Sequence, residues 1–215
     1  MLKVDQLDVS IGSVEILRGV SFELATGSMT GLIGRNGAGK TTLMRSIMGL
    51  LEPSGGSINF DGQDLAKIPT YLRNPMGIGF MPEERRLIPD LTVEENLLVP
   101  AWAVKAPDAD ERLRMVYEMI PELVEFGPRK GLQLSGGQQK LAAMGRALMY
   151  GRKLLLLDEP FEGVAPALAK RLVQVASGLK SQGLTVLLSE SDLQHSESMI
   201  DSILTIDRGS LKSTS

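Results

Sequence analysis

"GRNGAGKT", Gly34–Thr41, follows the apolar run "MTGLI" (Met29–Ile33) and opens a stretch with helical apolar spacing, Leu43, Ile47 and Leu50 or Leu51. It fits G-x-x-x-x-G-K-[ST] at every fixed position, in the strand–turn–helix setting the pattern requires. Glycines let a backbone wrap closely around a phosphate, and successive N–H groups then form an anion nest at a helix N-terminus. Gly34, Arg35, Asn36, Gly37, Ala38, Gly39, Lys40, Thr41 and Thr42 are therefore expected to bind the phosphates. Lys40 reaches the β and γ phosphates, and the Thr41 hydroxyl is a ligand for Mg²⁺. No N-K-x-D stretch is present to read guanine, so ATP is the expected nucleotide.

Downstream, "LLLLDEP" (Leu154–Pro160) reads as a buried strand ending in two acids. Alone, Asp158 could be a helix cap and Glu159 a surface residue. With a phosphate loop upstream in the same sheet, strand C-termini converge on the ligand crevice. Asp158 is then placed to hold Mg²⁺ through its water shell, and Glu159 to orient or deprotonate the attacking water. Between these motifs lies "LSGGQQ" (Leu134–Gln139), two glycines opening a helix behind an N-cap serine, Ser135. Ser135, Gly136, Gly137 and Gln138 offer a second anion site. One chain has little use for two such sites around one phosphate group. Two chains packed head to tail would each close the other's ATP.

The chain has 215 residues, a net charge of −3 and no cysteine. The absence of cysteine excludes disulfides, thiolate metal sites and Cys nucleophiles. The charge gives no overall field for a nucleic-acid backbone, so nucleic acid is not an expected partner. "MLKVDQLDVS" has no apolar signal core, and no run approaches the roughly 18–20 apolar residues of a membrane span. If a membrane matters, another chain crosses it.

Residues 1–33 read as strands, "SINFDG" and "IGFMP" as further short strands, and residues 84–133 as a helical insertion flanked by breaks at Pro89, Pro107 and Pro128. From 134 onward helices alternate with apolar strands, which implies a mainly parallel sheet covered on both faces. The expected organisation is a nucleotide-binding core, 1–83 and 134–215, interrupted by a helical subdomain, 84–133. The terminal "SLKSTS" is expected to fray.

"GRNGAGKTT", "LSGGQQ" and "LLLLDEP", in this order and at these distances, resemble the nucleotide-binding domains of ABC transporters along nearly the whole chain. The resemblance implies an α/β P-loop NTPase fold with a mainly parallel core sheet, an antiparallel N-terminal β-subdomain and the inserted helical subdomain. It also implies ATP hydrolysis, a dimer with a second ATP-binding subunit, transmembrane permease subunits docked on residues 84–133, and a peripheral place on the cytoplasmic side of the membrane. "MPEERRLIPDLTVEENL" (Met81–Leu97) and "GVAP" (Gly163–Pro166) are similar to the ATPases of branched-chain amino acid and urea importers, which act indirectly with a solute-binding protein. In that branch an acid often stands where the wider family has glutamine. Glu83 holds that position and is expected to meet Mg²⁺, while Glu84, Arg85 and Arg86 read as a solvated charge cluster.

Three positions depart from the family pattern. Ile11 stands where an aromatic residue usually stacks on adenine, and Ala165 where an aspartate usually bridges the protomers. Ser191 stands where a histidine usually touches the γ-phosphate. The one histidine, His195, lies four residues later. On a helix over 191–200 that is about 6 Å along the axis, too far for a contact needing roughly 3 Å precision. His195 is therefore expected to be a surface helical residue. Ile11 and Ser191 also keep open a reading of another class, a nucleotide-gated clamp or regulatory subunit with little turnover.

Overall fold

A computed structural model describes residues 1–212. The chain begins with β1 (Leu2–Ile11) and β2 (Val14–Leu24), an antiparallel hairpin whose alternating apolar residues face inward. β3 (Met29–Ile33) leads into the glycine-rich loop and α1 (Lys40–Ile47). β4 (Gly55–Phe60) and β5 (Gln63–Asp64) return to the hairpin, giving an antiparallel sheet in the order β2-β1-β4-β5. A short helix, α2 (Thr70–Arg73), precedes β6 (Ile78–Met81). Three helices follow: α3 (Val93–Ala103), α4 (Ala109–Met119) and α5 (Glu122–Phe126). The chain closes with α6 (Gly136–Leu148), β7 (Leu154–Asp158), α7 (Pro166–Ser181), β8 (Thr185–Glu190), β9 (Ser202–Asp207) and β10 (Ser210–Leu211).

The second sheet runs β10-β9-β3-β8-β7-β6, and every pairing in it is parallel except β9 with β10. β7 shows why. All four of its leucines are fully buried, Leu154 and Leu156 on the side of α1 and the antiparallel sheet, Leu155 and Leu157 on the side of α6 and α7. A strand apolar on both faces belongs inside a helix-covered parallel sheet. The helices α3–α5 have no core of their own. Val93, Leu97, Val116 and Leu123 pack in the same cluster as Leu141 and Met144 of α6 and Leu155 of the sheet.

Several expectations are corrected. α1 stops at Ile47, before Gly49 in the left-handed region, so Leu50 lies off the helix and is exposed. Residues 191–200 form bends and turns with no helix, which removes the helical setting assumed for His195. In "SLKSTS", Ser210 and Leu211 pair with β9 as β10, whereas Ser213–Ser215 lie outside the described residues.

Candidate nucleotide site

β3 delivers the chain to the glycine loop, and the loop is tied down on both sides. The Gly34 N–H donates to the Glu190 carbonyl at the end of β8 (3.2 Å), and the Gly209 N–H donates to the Ala38 carbonyl (2.9 Å). Two glycines are obligatory for steric reasons. A Cβ on Gly34 would stand 2.4 Å from the Ile206 carbonyl oxygen, and Gly39 combines φ +112° with Leu17 Cδ2 at 2.7 Å from such a Cβ.

The loop opens on a cavity of about 380 Å³ lined by Ile16, Asn36, Gly37, Gly39, Lys40, Thr41, Thr42, Glu83 and Glu159. Lys40 and Glu159 meet in it, and Ser191 reaches Glu159 from the adjoining cavity. Lys40, 5% exposed, bonds the carbonyls of Gly34 and Arg35 and pairs with Glu159 Oε1 at 3.0 Å. Glu159 follows the last residue of β7 with φ +47°, a left-handed conformation that costs a non-glycine residue about 1 kcal/mol or more. Ser191 Oγ lies 2.9 Å from Asn36 Oδ1 and 3.3 Å from Glu159 Oε1; having one proton, it serves one of them at a time.

Asp158 is fully buried behind this group. Its Oδ1 accepts from the Ser189 hydroxyl at 2.7 Å, and that hydroxyl in turn accepts the Glu159 N–H at 3.0 Å. Oδ2 has no hydrogen-bond partner. Burial raises the Asp158 pKa, against the pull of the Ser189 and Thr41 hydroxyls and the charges of Arg45 and Lys40. Glu83 is exposed at the cavity rim. Partial desolvation and then the charges of Asp158, Glu162, Glu84 and Glu159 push its carboxyl up.

Other expected residues lie elsewhere. Ile11 is 50% exposed and outside the cavity lining, whose apolar wall is Ile16. Ser135, Gly136, Gly137 and Gln138 do not line their own chain's cavity. Ser135 and Gln138 form a capping box on α6, with Ser135 Oγ accepting the Gln138 N–H (3.3 Å) and Gln138 Oε1 accepting the Ser135 N–H (3.0 Å). Ala165 precedes α7 and offers it no side-chain cap. Arg85 is not a solvated charge. It turns inward and donates to Gln139 Oε1 at 3.1 Å, while Glu84 remains outside, bridged to Arg45. His195 is exposed as expected, but it rests edge-on against Phe161, ring centroids 5.9 Å apart.

Four residues of this neighbourhood carry no sequence motif of their own: Ser189, Lys140, Arg146 and Glu190. Glu190, 4% exposed at the end of β8, contacts the Ser196 hydroxyl. Burial first, with Asp192 and Glu159 adding repulsion, pushes its carboxyl up to about 7. The folded chain thus holds this proton more tightly than the unfolded one. Its contribution is complete at acid pH and is lost as pH rises from the ordinary carboxylate range through about 7. Glu190→Gln is expected to flatten that part of the melting temperature–pH curve, a difference of up to about 3 kcal/mol across the window. Thermal melts between pH 4 and 8 check it, and parallel curves for the two proteins would refute it.

Comparison with known proteins agrees with this geometry. The sequence model of the ABC transporter family matches residues 17–162. The chain is 35% identical to the high-affinity branched-chain amino acid transport ATP-binding protein BraG of Pseudomonas aeruginosa, over 97% of this chain and 90% of that protein. It is 31% identical to the lipopolysaccharide export system ATP-binding protein LptB of Haemophilus influenzae, over 100% of this chain and 90% of that one. Among solved structures, a dimeric ATP-binding cassette in a post-hydrolysis state bound to ADP and Pi superposes with a TM-score of 0.88 at 25% identity, over 99% of this chain and 97% of that chain. A family match across the phosphate loop and the acid-ended strand, with relatives aligned end to end, means that the chain belongs to the ABC transporter family, as an ATP-binding subunit.

Proposed function

We propose that the chain binds and hydrolyses ATP to power a membrane transporter, most closely an importer of amino acids or related small solutes. The observation that carries this reading is the meeting of Lys40, Glu159 and Ser191 at the mouth of the phosphate loop. A triphosphate entering the loop competes for Lys40, whose charge then moves from Glu159 to the β and γ phosphates. Glu159, released from its ion pair, orients the attacking water and takes its proton. Ser191, which in the empty site gives its one proton to Asn36 of the loop or to Glu159, turns that proton to the γ-phosphate region in place of an imidazole.

The residues present fit a divalent cation. Among the described residues no three acids or imidazoles form a metal cage by themselves, so the ligand set is one that substrate and water complete. Thr41 Oγ1, Glu83 and the unpartnered Oδ2 of Asp158 would hold Mg²⁺ with phosphate oxygens. When bound, the cation neutralises charge developing on the phosphates.

The signature residues Ser135–Gln138, spent on capping and turned away from their own chain's cavity, support a head-to-tail dimer in which they cover the partner's ATP. The similar cassette bound to ADP and Pi is itself a dimer, which supports a second ATP-binding subunit. Among the described residues no helix is long and apolar enough to cross a membrane. Family membership supports permease subunits docking on residues 84–133, at the cytoplasmic side, with a solute-binding protein acting beyond them. BraG favours amino acids as cargo, while the export role of LptB shows that the sequence likeness alone spans both directions.

Steady-state phosphate release from ATP, with Lys40→Ala as the blank, tests hydrolysis. The wild type is expected to exceed the blank by at least tenfold and to lose that excess in EDTA. Equality of the two, with ATP binding intact, would leave the clamp reading standing instead.

A further inference from the structure

α6 carries the signature residues at its N-terminus, and two cations on the same helix grip the loops that bear the site's acids. Lys140 is 2% exposed and, among the described residues, has no carboxylate within salt-bridge distance. Its Nζ donates instead to the main-chain carbonyl of Glu159 at 2.8 Å and to that of Glu162. One turn and a half further on, Arg146 donates to the carbonyls of Arg85 (2.6 Å) and Arg86 (2.8 Å), in the loop that follows Glu83. Both of those residues have left-handed backbone, with φ of +64° and +50°.

Glu162, Glu83 and Glu159 attract Lys140 without pairing with it directly, and burying an ammonium outside an ion pair costs free energy unless its protons are satisfied. An apolar side chain of similar length would fill the same space without that cost. The cost is met where the chain is itself strained. Glu159 has φ +47°, its N–H is fixed by Ser189 on one side, and its carbonyl is fixed by Lys140 on the other. With the peptide pinned at both ends, the Glu159 carboxylate is aimed at Lys40 and Ser191.

We propose that Lys140 is a positioning residue for ATP hydrolysis, holding the Glu159 main chain in the left-handed conformation that points its carboxylate at the attacking water. The inference rests on the reading of Glu159 as the base. Because Lys140 and Ser135–Gln138 share one helix, a hydrogen bond ties the main chain of the base of one site to the helix whose signature residues cover the partner's ATP.

The test uses the full chain, with phosphate release measured against ATP concentration, fluorescent ATP-analogue binding and thermal melting. Lys140→Met keeps the volume and removes the donor; Lys140→Gln keeps a shorter donor. The expected order of kcat is wild type above Gln above Met, with Met down about thirtyfold or more and Gln about three- to tenfold, at KM and analogue affinity within about threefold. A structural role alone would lower the melting temperature in both variants and leave kcat per folded molecule unchanged, and that result overturns the proposal. If Lys140→Met does not fold, Lys140→Gln decides alone: wild-type kcat refutes, a reduced kcat at unchanged KM supports. A wild type that binds ATP and releases no phosphate overturns the hydrolysis reading and this inference with it. A wild type that turns over beside an equally active Lys140→Met overturns only this inference.

Discussion

Glu159→Gln is expected to lower phosphate release at least a hundredfold while ATP binding persists. The amide has the shape of the carboxylate but cannot take a proton, and removing a positioned base typically costs about 10²–10⁴ in rate. Binding survives because the anion nest and Lys40 are untouched. Lys40 is freed of its ion pair with Glu159, now 3.0 Å away, and is more available to phosphate. The unliganded fold is destabilised only modestly. Gln Oε1 can still accept from Lys40, and the Gly34 and Arg35 carbonyls continue to do so. Under the head-to-tail dimer reading, the variant accumulates as an ATP-filled dimer, visible as an earlier peak in size-exclusion chromatography run with ATP. Turnover at the wild-type rate would remove Glu159 as the base.

The parts of this site legible in the sequence are those whose chemistry is local. A phosphate loop needs consecutive residues to form its nest, so "GRNGAGKT" declares itself. Four adjacent leucines ending in two acids declare a doubly covered strand and what stands at its end. The parts that were illegible depend on pairing across the fold. Ser189 matters because the parallel register of β7 and β8 sets it opposite Asp158, and no local pattern encodes that register. Lys140 looks like an ordinary helical lysine until α6 packs against the turn from Glu159 to Glu162. Arg85 looks like one member of a charged run until Gln139 arrives from another element. His195 sits in a segment of turns where its spacing suggests a helix, and the contact it makes is with Phe161, two residues after Glu159.

Asp158→Asn is expected to make the nucleotide-free chain more stable and the enzyme inactive. Asp158 is fully buried, and one of its oxygens has no partner. The amide of asparagine leaves its N–H groups at that same partnerless position, so the expected gain comes from removing a buried charge, which costs more than a buried neutral group. Asparagine keeps an oxygen for the Ser189 hydroxyl, now 2.7 Å from Oδ1, and gives up the charge that burial opposes. The pH dependence fixes the sign. With its folded pKa raised, Asp158 holds a proton more tightly in the folded chain than in the unfolded one. Stability therefore falls as pH rises from the ordinary aspartate range through the raised value, and stays lowered above it. The Asn variant has no such fall. At neutral pH in EDTA its melting temperature should exceed the wild type's by a few degrees, since about 1 kcal/mol moves a chain of this size by roughly 2–4 °C. Phosphate release, by contrast, should drop at least a hundredfold, because the amide no longer offers an anionic oxygen to a divalent cation. An Asn variant that melts below the wild type under those conditions would mean that the fold stabilises the buried charge. In that case the orphaned oxygen is not held in reserve for a cation. A gain in stability joined to a loss of turnover is the signature of a residue kept for its ligand at the expense of the fold.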